Sequence, residues 1–88
     1  MKTIWKFPIQ LQEYNKIAMP KGAEILTAQV QSGTICLWAI VDSDATRETR
    51  IIEVAGTGTR FADPDGRRKY IATVQTGAYV WHLFEYLE

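Results

Sequence analysis

The sequence predicts an all-β fold of about seven short antiparallel strands, arranged as a sandwich or a partly open barrel. Three observations carry that expectation. Apolar and polar residues alternate with a period of two through most of the chain, the pattern of a strand with one buried face. Two turn signals, Ser32-Gly33 and Thr76-Gly77, each separate runs rich in β-branched and aromatic residues. No stretch of about ten residues combines helical periodicity with a convincing cap.

Residues 2–9 read as the first strand. Thr3, Trp5, Phe7 and Ile9 alternate with Lys2, Lys6 and Gln10, while Ile4 breaks the pattern on the outer face. Pro8 has no N–H to give a ladder, so the strand lies at an edge or ends there. Residues 10–14 turn the chain. Residues 15–19 form a short second strand with Ile17 and Met19 inward, and Pro20-Lys21-Gly22 punctuates it.

The stretch at residues 24–42, EILTAQVQSGTICLWAIVD, is the central hairpin. A turn at Ser32-Gly33 sets Val30 opposite Ile35, Ala28 opposite Leu37 and Leu26 opposite Ala39, an apolar face for a core. The other face carries Gln31, Gln29, Thr27 and Ile25 against Thr34, Cys36, Trp38 and Ile40. It is mixed, hence half covered or a contact surface. Residues 34–41 are apolar on both faces, as in an interior strand. Asp42-Ser43-Asp44-Ala45-Thr46 is a polar loop. Residues 49–55 form a fifth strand with Ile52 and Val54 on one face and Ile51 on the other. Residues 56–68, GTGTRFADPDGRR, are the longest irregular segment, and loops this long in a small domain often carry function. Residues 69–75 and 78–87 close the chain as a last hairpin. In it Tyr70, Ala72 and Val74 meet Leu83, Trp81 and Tyr79, while Lys69, Ile71 and Thr73 meet Phe84, His82 and Val80. The expected core is Trp5, Phe7, Leu26, Ala28, Val30, Ile35, Leu37, Ala39, Val54, Ala72, Val74, Trp81 and Leu83. The two hairpins resemble each other at an offset of 44 residues, Ser32 to Thr76, by duplication or by convergence on one geometry.

Eighty-eight residues make one domain with a modest core. Ten basic residues balance ten acidic ones, so no overall field draws the chain to a nucleic acid or a membrane surface. The single cysteine, Cys36, excludes an intrachain disulfide and fits a reducing cytosol. Its place in mid-strand makes it an inert thiol rather than a nucleophile. No signal peptide is visible, and the run at residues 35–41 is far short of the roughly 20 needed to cross a bilayer.

Chemistry is sparse. One His and one Cys cannot build a structural zinc site, no cofactor motif is present, and no acid–base pair marks an enzyme. His82, on the outer face of the last hairpin opposite Ile71, reads as structural. Asp63-Pro64-Asp65-Gly66 reads as a turn. The segment Gly56-Thr57-Gly58-Thr59-Arg60 is the most suggestive: glycines admit close approach, exposed N–H groups cradle anions, and arginine offers a fork. The candidate ligand-binding residues are therefore Thr57 and Thr59 as donors, Arg60 and Arg67 as anion anchors, and Trp38 as a stacking platform. Leftover apolar surface predicts self-association, with Trp38, Ile40, Val80 and Phe84 at the interface.

The blocks KTIWKFP, PKGAEIL and QVQSGTICLWAIVD, with the later GTG, together resemble a family of small proteins common in bacteriophage and prophage genomes. The likeness covers residues 2–58, and IATVQTGAYVWHLFE follows more loosely. It implies a phage-borne protein working in the bacterial cytoplasm and carries no catalytic motif. The expected function is non-enzymatic binding, sequestering a small nucleotide-like defence signal. Inhibition of a host defence complex by protein–protein contact, of the anti-CRISPR type, and a virion or assembly role are the alternatives. The partners expected are an anionic small molecule, a second copy or a host defence protein, with neither membrane nor nucleic acid.

Overall fold

The computed structural model describes residues 1–60 and 66–87. Seven strands follow one another: β1 (Lys2–Pro8), β2 (Tyr14–Pro20), β3 (Glu24–Gln31), β4 (Thr34–Asp42), β5 (Arg47–Gly56), β6 (Arg68–Thr76) and β7 (Tyr79–Tyr86). All pairings are antiparallel. They build a sandwich of two open sheets, one ordered β1-β4-β3 and the other β2-β5-β7-β6, not closed into a barrel. The expected turn at Asp63-Pro64-Asp65 lies outside the described residues.

The core lies between the sheets. Leu37, Ala39 and Val41 of β4 face Ile52 and Val54 of β5, Leu83 of β7 and Met19 of β2, all buried. Trp5, Phe7, Val30, Ala72 and Trp81 pack against this cluster partly buried. β4 is the interior strand of its sheet, and both of its faces are largely covered. Pro8 sits at the end of the edge strand β1, where its missing N–H costs no bond. The corner between β1 and β2 is knitted by buried Asn15. Its Oδ1 accepts from the Gln10 N–H at 3.0 Å, and its Nδ2 donates to the Gln10 carbonyl at 3.1 Å.

Three expectations are corrected. Leu26 is 42% exposed, not core. A β-bulge between Ile25 and Thr27 inserts one extra residue, so Ile25 rather than Leu26 lies opposite Ala39. With a side-chain period of two, one inserted residue exchanges the faces. The last hairpin turns at Gly77-Ala78, not Thr76-Gly77, and Thr76 pairs with Tyr79. Gly77 has φ of 58°, whereas a turn centred on Thr76-Gly77 would push a β-branched residue toward positive φ. A second bulge, between Tyr70 and Ala72, moves Tyr70 to the outer face against Phe84, ring centroids 5.7 Å apart.

Each sheet contains the same unit: a strand, a connection, then a hairpin whose second strand lies in the middle. It is β1-β4-β3 in one sheet and β5-β7-β6 in the other. Bulges at Leu26 and Ile71 and turns at Ser32-Gly33 and Gly77-Ala78 superpose the two hairpins at an offset of 45 residues, not the 44 of the sequence match. β2, from the connection of the first unit, adds to the second sheet beside β5.

Candidate functional site

At Gly56 β5 ends and the chain folds back on the start of β7. The Thr59 N–H donates to the Gly56 carbonyl at 3.1 Å, and the Thr57 N–H donates to the Val80 carbonyl at 3.3 Å. Gly56 allows close approach, since a Cβ there would stand 3.3 Å from both the Trp81 ring and Thr59 Oγ1, a tight contact. The Trp81 indole Nε1 donates to Thr76 Oγ1 at 2.8 Å, which fixes the ring. Tyr79, 68% exposed, stacks on Trp81 with centroids 6.0 Å apart and planes 28° apart. Thr57, Thr59, Tyr79, Val80 and Trp81 enclose an open cleft of about 410 Å³. Across the turn, Thr59, Arg60, Leu11, Gln12, Glu53 and Trp81 border a second cleft of about 240 Å³.

Thr57 is further anchored. Its Oγ1 shares a 2.8 Å hydrogen bond with His82 Nε2, and His82 Nδ1 shares one of 3.0 Å with Thr73 Oγ1, which in turn meets Tyr70 Oη at 2.8 Å. The sequence reading set His82 against Ile71. The later turn brings Thr73 there instead.

Charge further along β5 and β7 is internally balanced. Glu53, only 3% exposed, forms a two-pronged ion pair with Arg68 through Nε to Oε1 and, at 3.2 Å, through Nη2 to Oε2. Arg68 also lies over the Tyr86 ring at 5.9 Å. The Glu53 charge pushes the Tyr14 phenol above its ordinary value. A second fork joins Arg50 to Glu85 on the inner face, and Arg50 Nη1 donates to the Ala23 carbonyl at 2.9 Å. Hydrogen bonding to Glu85 raises the Arg50 guanidinium above its ordinary value.

Thr57 and Thr59 thus come together with Tyr79, a neighbour absent from the expected site, while Arg60 borders the second cleft with Thr59. Arg67 does not join them. Its carbonyl accepts from the Leu87 N–H at 2.7 Å, at the far end of β7 from Val80. At about 3.3 Å per strand residue the two backbones stand roughly 20 Å apart. Trp38 lies on the outer face of the other sheet, between Lys6 and Thr27. The interface candidates divide likewise: Trp38 and Ile40 on one outer face, Val80 and Phe84 on the opposite one. Cys36 is buried beneath the Lys6–Gln31 hydrogen bond of 2.8 Å, which spans β4. Asp42 and Asp44 both bind the Met1 ammonium, at 2.9 and 2.8 Å. Among the described residues no group of three or more His, Cys, Asp or Glu is placed to hold a metal ion, and no helix is long and apolar enough to cross a membrane.

Residues 1–88 match the family described as a domain of unknown function, DUF7352, and the chain belongs to that family. Neither the curated proteins nor the solved structures yield a match.

Proposed function

We propose that this chain is a non-enzymatic binding protein, phage-borne as its sequence resemblance implies, that self-associates and sequesters a small nucleotide-like signal in the cytoplasm of a bacterial host. The observation that carries the reading is the exposed Tyr79 ring, backed by Trp81 and facing the hydroxyl-bearing turn of Thr57 and Thr59. A rigid aromatic platform takes the π-face of any base, and stacking is worth about 1–3 kcal/mol per base. Threonine hydroxyls suit sugar and phosphate oxygens, and Arg60, which borders the neighbouring cleft across the turn, supplies a fork for an anion. The cleft volume of about 410 Å³ falls in the range of small-molecule sites, about 300–1,000 Å³.

The test is native mass spectrometry of the protein purified from bacterial lysate, beside a Tyr79→Ala/Arg60→Ala double variant. A retained small-molecule mass on the natural chain, absent from an equally folded double variant, supports the reading. A bare mass, with no heat of binding on titration with mono-, di- and cyclic nucleotides, would overturn it.

A further inference from the structure

The repeated unit leaves one strand position vacant. In the second sheet β2 pairs antiparallel with the outer edge of β5; in the first, β1 occupies the place of β5, and no described residue pairs with its outer edge. The main chain there is ready for a partner. The Ile9 N–H donates inward to Ile35 at 2.8 Å and the Met1 carbonyl accepts inward from Ser43 at 2.9 Å. Odd residues therefore turn their N–H and C=O toward β4, and alternation turns those of Lys2, Ile4 and Lys6 outward. Pro8 falls in the outward set, so it costs no internal bond. Edges of this kind are natural templates for another strand.

Side chains specify what the strand is. On the inner face Trp5 and Phe7 are only partly buried, centroids 6.4 Å apart, with the Arg47 guanidinium 5.2 Å over the Trp5 ring. On the outer face the edge carries Lys2 and Lys6, the latter exposed and bonded, among the described residues, only to the neutral Gln31 amide across β4, with Ile4 56% exposed between them. β2 shows how the equivalent place is filled: Ile17 and Met19 point inward and Lys16 outward. We propose that the outer edge of β1 binds an extended segment of a partner protein, antiparallel, whose residues alternate between apolar side chains over Trp5 and Phe7 and acidic side chains beside Lys2 and Lys6. A second copy is the poorer occupant, because it brings its own Lys2 and Lys6 to the same seam.

The test uses the ¹⁵N-labelled chain and two short synthetic peptides, one alternating valine with aspartate, the other valine with lysine. The aspartate peptide is expected to protect the Ile4 and Lys6 amides from hydrogen exchange, leave Trp5 and Phe7 amides as protected as before, and bind about tenfold or more tightly than the lysine peptide. Ile4→Pro removes an outward N–H and should abolish binding. Should that variant not fold, Lys2→Glu/Lys6→Glu serves instead and should reverse the preference. Absence of protection at Ile4 and Lys6 at saturating aspartate peptide, equal binding of both peptides, or a dimer of the free protein whose seam protects these amides would each overturn the proposal.

Discussion

Leu26 stands two residues along β3 from Ala28, the partner of Leu37, yet truncations of the two leucines are expected to differ widely. Leu37 has no solvent exposure, and Leu37→Ala should cost ~2–5 kcal/mol in chemical denaturation. Leu26 stands on a bulge at 42% exposure, and Leu26→Ala should cost less than about 1 kcal/mol. Equal costs would show that the bulge is not formed in solution. The Met1 ammonium gives a pH test at the same scale. Its hydrogen bonds to Asp44 and then Asp42 raise it above its ordinary value of 8.0, and the bond to the amine lowers Asp42 below its ordinary 3.8. The amine's contribution is complete below pH 8.0 and is lost as pH rises through the raised value; that of Asp42 is complete above pH 3.8 and is lost as pH falls through the lowered one. Thermal melts of the free and Nα-acetylated chains should therefore differ most between these limits and converge outside them. The difference is small, because both groups are solvated.

Elements show what the sequence could and could not reveal. Alternation in Trp5, Phe7 and Ile9 and the two-faced apolar run of β4 made the edge and interior strands legible before any coordinates, since burial writes period two directly into residue type. Bulges write nothing so plain. Leu26 and Ile71 are ordinary strand residues, and the extra residue is absorbed by pairing across the sheet, so faces beyond it were misassigned. The His82–Thr73 contact lies between the second bulge and the turn, and it follows from the turn at Gly77-Ala78, which shifts the pairing by two residues. Arg67 was misgrouped for another reason: proximity in a loop says nothing about the ends of the strand it joins. The turn of the last hairpin can be checked at Gly77. Nothing lies within 4 Å of a Cβ built there, so Gly77→Ala reports backbone strain alone, an expected ~1–2 kcal/mol. A neutral substitution would show that Gly77 does not hold a positive φ in solution. The Glu53–Arg68 pair tests the neighbouring element. Glu53→Ala leaves a buried guanidinium without its carboxylate and should cost ~3–5 kcal/mol, far more than removal of an exposed pair.

At the scale of the whole molecule the proposed self-association has two outer faces to choose from, since Trp38 and Ile40 oppose Val80 and Phe84 across the sandwich. One two-fold interface uses one face; using both would build an open chain or a higher symmetry. Charge separates them. The sheet of β1, β4 and β3 presents Lys2, Lys6 and Glu24 around Ile40 and Trp38, and a two-fold copy would have to desolvate these charged side chains. The sheet of β2, β5, β7 and β6 presents Tyr14, Tyr70, Phe84 and Tyr86, and its carboxylate Glu53 is already neutralised by Arg68. Aromatic side chains around a neutralised pair resemble the centre of a stable interface. Sedimentation at micromolar concentration is therefore expected to show a dimer. Tyr70→Asp should shift it to monomer, while Ile40→Asp should leave it intact. The reverse pattern would transfer the interface to the Trp38 face. A natural chain that sediments as a monomer throughout would remove self-association from the proposed function and leave the Tyr79 cleft to act within one subunit.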